Sequence, residues 1–220
     1  MNALINALHN ELQISESSTI IEKLFHIQTQ SRVTCCLCKT EDTTDERTTF
    51  LPLPLPLPKL HPQQKCLLLE DLLSFFFEED TLDGDYYCQK FDTMTQAKQK
   101  TSLRHPLPRV IIIQLKRFTF DDSNNKIHTF VRYPLQNLNI GKYLAQTSTN
   151  DTFYNLIAIS VHTGSSQSGG HYTTYAKNND QSEWYLFNDS FLEPVEKKIQ
   201  DKQLLTKHAY VLVYQKTEIS

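Results

Sequence analysis

The 220-residue chain contains no apolar run approaching the ~20 residues that a membrane-crossing helix requires. Its N-terminus lacks the charged start, apolar middle and small-residue cleavage site of a secretory leader. Neither sign of charge dominates: 22 Lys and Arg stand against 25 Asp and Glu, a formal net charge of -3. A balance of that kind leaves no basic footprint, so neither nucleic acid nor a membrane surface is an expected partner. Cysteine is scarce and odd in number, five in all. That count fits a reducing compartment better than a disulfide framework, so the cytoplasm or the nucleus is the expected location. There is no internal repeat. The length allows one large domain or two small ones and is enough to bury a core.

The organisation that is present runs as follows from the N-terminus. In "MNALINALHNELQ", Leu4, Leu8 and Leu12 share a stripe with Met1 and Ile5 beside it, which predicts an amphipathic helix. No capping residue precedes it, as in a helix whose beginning is missing. The stretch "LPLPLPLP", 51–58, removes a backbone donor from one edge at every proline, while Leu53, Leu55 and Leu57 keep theirs on the other. It can pair on one side only, as an edge strand or polyproline-like strap, with a disordered linker as the alternative. "CLLLEDLLSFFFEED" has helical spacing, and Asp83-Gly84-Asp85 reads as a turn. From Pro108 onward, β-branched and aromatic runs separated by turn residues predict a largely antiparallel sheet, with one short helix near Lys197 to Leu205. The change in composition near residue 105 predicts a boundary there.

Cys35 and Cys38 form a C-x-x-C in "TCCLCK", half of a tetrahedral zinc site. The candidate second half, "YYCQKF", supplies Cys88 but places Phe91 where a fourth ligand belongs. Three thiolates and an apolar ring do not close such a site unless Cys36 or a histidine joins, so a metal-free knuckle with packed cysteines is expected. None of the five cysteines carries the surroundings of a catalytic nucleophile; Cys66, ahead of "CLLLEDLL", comes nearest.

In "SGGHYTTYAKNNDQSEWYLFNDS", two strands joined by "NNDQS" form a hairpin. If Lys177 pairs with Ser182, His171 lies directly opposite Asn188 and Tyr175 opposite Trp184, with Cβ atoms about 5 Å apart. The Asn188 oxygen then accepts the imidazole Nδ1–H and leaves Nε2 as a base. A one-residue slip would separate the pair. The glycines before His171 allow close backbone approach. By spacing alone, a base and an ordinary surface histidine remain open alternatives.

These residues resemble the histidine box of the ubiquitin-specific protease family of cysteine deubiquitinases. The likeness runs through "YNLIAISVHTG", "SGGHYTTYAKN", "EWYLFNDS" and "AYVLVYQ". It extends upstream through "LPRVIIIQLKRF", "VRYPLQNLNIGKYL", "YYCQK", "TTFLPLPLPLP", "SRVTCCLCK", "IEKLFHIQTQS" and "NALHNEL", so it covers essentially the whole chain. The resemblance implies an α+β, papain-like fold in which thumb, palm and fingers hold ubiquitin. Here it would be incomplete: the end of the thumb helix region over 1–27, fingers with a degenerate zinc ribbon over 28–104, and an antiparallel palm over 105–220. It implies His171 as the catalytic histidine, Asn188 as the residue that orients it and Asp189 as an assisting acid. It makes His162 a recurring palm residue. Cys35, Cys38 and Cys88 are what remains of the zinc site, so no cofactor is required and zinc is in doubt. The partners implied are ubiquitin and ubiquitinated proteins. The family's cysteine box, which carries the nucleophile, has no counterpart among these residues. The readings open at this point are part of a deubiquitinase, a ubiquitin-binding pseudoenzyme or alternative product, and a plain β-rich scaffold.

Overall fold

The computed structural model describes residues 2–12, 19–56, 66–118, 126–145, 152–165, 169–178, 182–198 and 200–217. Helix α1 spans Asn2–Leu12 and helix α2 spans Ile20–Phe25. In α1 the buried apolar residue is Ile5, whereas Leu8 is exposed; the side chains of Leu4 and Leu12 lie outside the described residues. A capping box starts α2: the Thr19 hydroxyl accepts from the Glu22 amide and the Glu22 carboxylate accepts from the Thr19 amide, each at 3.2 Å. Such a cap contributes about 1 kcal/mol.

Strands β1 (Ile27–Cys35) and β2 (Glu41–Thr48) form a long antiparallel pair. After β3 (Leu51–Pro54), β4 (Cys66–Leu68) and α3 (Leu69–Phe76), strands β5 (Asp80–Cys88) and β6 (Thr93–Arg104) return to complete a four-stranded sheet in the order β2-β1-β6-β5. Its outer strand β2, "EDTTDERT", is almost wholly exposed and charged, which discourages pairing with another chain. The turn expected at Asp83-Gly84-Asp85 does not form. The three residues lie within β5, where a register irregularity between Leu82 and Tyr86 absorbs them. The β5–β6 pairing resumes beyond them, so the glycine marks a bulge and not a chain reversal.

The second sheet is built from β7 (Val110–Lys116), β9 (Leu138–Asn139), β10 (Phe153–Thr163), β11 (His171–Asn178), β12 (Glu183–Asn188), β13 (Phe191–Pro194), β14 (Ala209–Lys216) and β3, with β8 (Phe130–Arg132) pairing separately with β4. Its order is β13-β12-β11-β10-β14-β7-β3, with β9 on β10. The strands expected after Pro108 are present, as is the short helix α4 (Gln200–Leu204). The pairing is mainly antiparallel, but β3–β7 and β4–β8 are parallel.

Strand β7 explains why the sheet has two unequal faces. Ile111, Ile113 and Leu115 are fully buried on one side in the main core, while Ile112 on the other packs under Ile5 and Ile21 of the two helices. Leu51 and Leu53 of the proline-alternating segment enter the main core from the sheet edge, beside Ile113 and Leu115, and Leu55 follows them. The edge strand therefore forms over Leu51–Pro54, and residues 57 and 58 lie outside the described residues. Replacing Leu53→Ala should cost about 2–5 kcal/mol, and Pro52→Ala less than about 1 kcal/mol, because only the leucine is fully buried. Urea denaturation followed by circular dichroism measures both.

Candidate functional site

The hairpin formed by β11 and β12 carries His171 at its start and Asn188 at its end. Its register differs by two residues from the expected one: Lys177 faces Trp184, and Tyr175 faces Leu186. The reason lies in the loop. Ser182 has a positive φ of 55° and belongs to the turn, so the closing pair is Asn178 with Glu183. A shift of two preserves the face of every side chain. His171 and Asn188 therefore still meet, diagonally across the hairpin, with Nε2 to Oδ1 at 2.6 Å. The ring nitrogen engaged is Nε2, not Nδ1 as expected. With the Asn188 oxygen as acceptor, Nε2 carries the proton and Nδ1 is left with the free lone pair.

Asp189 follows with a left-handed φ of 52°, and its Oδ2 lies 3.8 Å from His171 Nε2. The pair is largely exposed, so its attraction is worth less than about 1 kcal/mol.

Behind this exposed pair the structure is dense. A Cβ built on Gly170 would lie 2.2 Å from Nε2 of His162 and 2.7 Å from the Thr163 carbonyl, and Gly170 has a φ of +153°. Only glycine fits there. The close approach expected of the glycines thus involves a side chain as well as backbone. His162 is buried against the rings of Tyr172, Phe118 and Tyr210, at 4.6, 5.4 and 6.3 Å between centroids. Its Nδ1 is 3.1 Å from Nζ of the buried Lys126, which also donates to the His162 carbonyl. Burial, and then the Lys126 charge, lowers the His162 pKa and keeps this imidazole neutral.

The fully buried Arg117 donates to the carbonyls of Ala209 (2.6 Å), Thr129 (2.9 Å) and Ile127 (3.0 Å). Desolvation lowers its pKa to about 10. Arg117 thereby ties the chain around Lys126 to the start of β14. Sequence reasoning singled out neither cation. Each sits inside a strand-like run, and no local spacing distinguishes a buried Arg or Lys from one on the solvent face.

The cysteines lie elsewhere. Cys35 ends β1 and Cys88 ends β5, at the opposite end of the first sheet from the β6 terminus that leads to β7. Nine residues of β1 span about 30 Å. The sulfurs of Cys35, Cys38 and Cys88 lie within 4.8 Å of one another and could hold a metal. The Thr40 hydroxyl, 3.2 Å from Cys38 Sγ, helps lower that thiol's pKa to about 6. Cys66 is exposed on β4, with its sulfur near the Leu67 carbonyl. Among the described residues, the recorded partners of His171 include no cysteine sulfur.

Comparison with known proteins connects these features. The family described as ubiquitin carboxyl-terminal hydrolase matches residues 1–214. Ubiquitin carboxyl-terminal hydrolase 2 of Gallus gallus is 35% identical over 198 residues, covering 89% of this chain and 52% of the relative. Ubiquitin carboxyl-terminal hydrolase 15 of Homo sapiens is 34% identical over 160 residues, 71% of this chain and 16% of the relative. A structure of the SAGA Ubp8/Sgf11/Sus1/Sgf73 DUB module bound to ubiquitin aldehyde superposes with a TM-score of 0.79 at 24% identity, covering 99% of this chain and 48% of that one. The chain has the fingers-and-palm fold and spans about half the length, or less, of these proteins.

One prediction tests the packing behind His171, and a second tests the buried histidines of the chain. Gly170→Ala should displace the His162 ring or the Gly170 backbone and break the His171–Asn188 contact. Imidazole 15N NMR would show this as loss of the single Nε2-protonated tautomer of His171. The second concerns pH. Burial is the largest cause lowering the pKa of His26, His128, His162 and His208 below 6.5. Each takes up a proton more readily in the unfolded chain, so stability is full above 6.5 and declines as pH falls towards the folded values. The thermal midpoint should fall between about pH 7 and pH 5, and His162→Gln should flatten that slope.

Proposed function

Because this chain belongs to the ubiquitin carboxyl-terminal hydrolase family, we propose that it forms the palm and fingers of a thiol-dependent deubiquitinase whose nucleophile comes from outside these residues. The observation that carries this reading is the His171 Nε2 to Asn188 Oδ1 contact of 2.6 Å. It holds the imidazole in one tautomer and leaves Nδ1 as the base, the same arrangement by which an amide or carboxylate orients the histidine of a thiol protease.

In the proposed reaction Nδ1 takes the proton of an approaching thiol. The thiolate attacks the carbonyl of ubiquitin's C-terminal glycine, and the resulting imidazolium donates its proton to the departing amine. Asp189 and the Asn188 oxygen face the Nε2 side of the ring throughout. Nδ1 then deprotonates the water that hydrolyses the acyl-enzyme. Residues 28–104 act as fingers and 105–220 as palm, with 1–27 as the end of the thumb helices. The partners are ubiquitin and ubiquitinated proteins, and the site of action is the cytoplasm or nucleus.

Zinc has no catalytic part in this reading, and the cysteine trio suits it poorly. Thr40 offers a hydroxyl where zinc prefers thiolate, imidazole or carboxylate, and Asp42 is engaged by the Tyr86 hydroxyl at 2.7 Å.

A second reading, a ubiquitin-binding module without catalysis, is favoured by one observation: the three clustered cysteines stand a full strand length away from the palm. Under both readings these 220 residues alone should neither hydrolyse ubiquitin-amide reporters nor label with a ubiquitin probe bearing a C-terminal electrophile. Mass spectrometry of the probe reaction measures this. Labelling mapped to Cys66, or to any of the other four cysteines, would contradict the proposal.

A further inference from the structure

Cys35, Cys38 and Cys88 form a preassembled three-sulfur cup. Their Sγ atoms lie within 4.8 Å of one another, Cys38 Sγ is 3.6 Å from Cys88 Sγ, and the Cys38 amide points at Cys35 Sγ from 3.5 Å. Cys35 and Cys88 are buried. The mouth opens into a cleft bounded by Thr40, Asp42, Tyr86, Tyr87 and Lys90. Phe91, whose position would complete a ribbon, is 54% exposed and offers no donor atom. The Cys36 amide N–H donates to the Gln96 carbonyl at 3.0 Å, and the Cys36 sulfur lies outside the trio.

Two requirements follow for any tightly held guest. It must accept three sulfurs and need no fourth protein ligand, and it must not leave excess charge beside two buried sulfurs. A divalent ion with three thiolates meets the first only by taking its fourth donor from solvent in the cleft, and it fails the second because it leaves one net negative charge beside the buried sulfurs.

We propose that this cup is a binding site for trivalent arsenic, supplied as arsenous acid. A trivalent arsenic atom makes three bonds in a pyramid, and its lone pair fills the fourth vertex that Phe91 leaves without a ligand. The step is a condensation without redox change. Three S–H and three As–O bonds break, three As–S bonds form, and the three thiol protons leave with the three hydroxides as water. The adduct is neutral, so burial of Cys35 and Cys88 does not oppose it. The soft, polarisable sulfur set favours such a thiophile. The inference rests on the misfit with zinc, and zinc retention and arsenic stoichiometry are read separately.

The test uses the reduced 220-residue chain, stripped of metal and titrated with sodium arsenite. Native mass spectrometry should find one arsenic per chain. Of the five thiols, the three of the trio should be lost to a thiol reagent and Cys36 and Cys66 should remain. Cys35→Ser, Cys38→Ser and Cys88→Ser should each weaken binding by about tenfold or more, whereas Cys66→Ser should leave it unchanged. Excess zinc should compete weakly with the unmodified chain. In Phe91→Cys, which supplies the fourth donor, zinc should compete at least about tenfold better. Circular dichroism confirms that each variant is folded. Arsenic held equally well in the three serine variants, or protection of Cys36 or Cys66 in place of the trio, would overturn the proposal. So would a zinc ion that the unmodified chain retains against arsenite.

Discussion

The candidate site depends on one steric constraint, the contact between the Gly170 backbone and the buried imidazole of His162. No side chain can occupy position 170 without entering that ring. The ring in turn is fixed by Lys126, which binds both its Nδ1 and its carbonyl, and by the aromatic side chains around it. His171 is the next residue along, so its backbone position is set by the contact of the preceding glycine with a buried ring. An exposed imidazole on a hairpin would otherwise be free to sample many orientations. Here two polar contacts at the tip are enough to orient it, because the chain leading to it has so little freedom.

That constraint also accounts for the unusual charge in the interior. Among the described residues, Arg117 and Lys126 are buried with no carboxylate partner, and they hold backbone carbonyls. Removing a cation from water costs several kcal/mol, and charge-assisted hydrogen bonds to carbonyls return about 1.5–3 kcal/mol each. The arrangement is retained where it joins segments distant in sequence. Arg117 links the chain at 127 and 129 to Ala209, and Lys126 links to His162, so β10, β14 and the segment before β8 share one anchor.

Much of this was legible in the sequence because it depends on local chemistry. Alternation of proline and leucine does make a one-sided edge strand, and the β-branched runs after Pro108 do become the second sheet. The meeting of His171 with Asn188 survived an error of two in the register, since side-chain faces repeat every two residues. What was not legible depends on the third dimension. The choice of Nε2 over Nδ1 is set by ring orientation, which spacing does not encode. Asp83-Gly84-Asp85 has turn composition, but the pairing of β5 with β6 outweighs three residues of local preference. Lys126 and Arg117 carried no motif at all.

The fold places the His171 imidazole on one sheet and three clustered thiols at the distal end of another, which makes the origin of the nucleophile in the proposed reaction the central question. The most direct measurement joins the cysteine-box half of a relative to the N-terminus of this chain and follows hydrolysis of a ubiquitin-amide reporter. The account predicts turnover in that chimera, its abolition by His171→Ala and a smaller loss in Asn188→Ala, because the amide orients the imidazole without replacing it. A folded His171→Ala chimera that still turns over the reporter would contradict it.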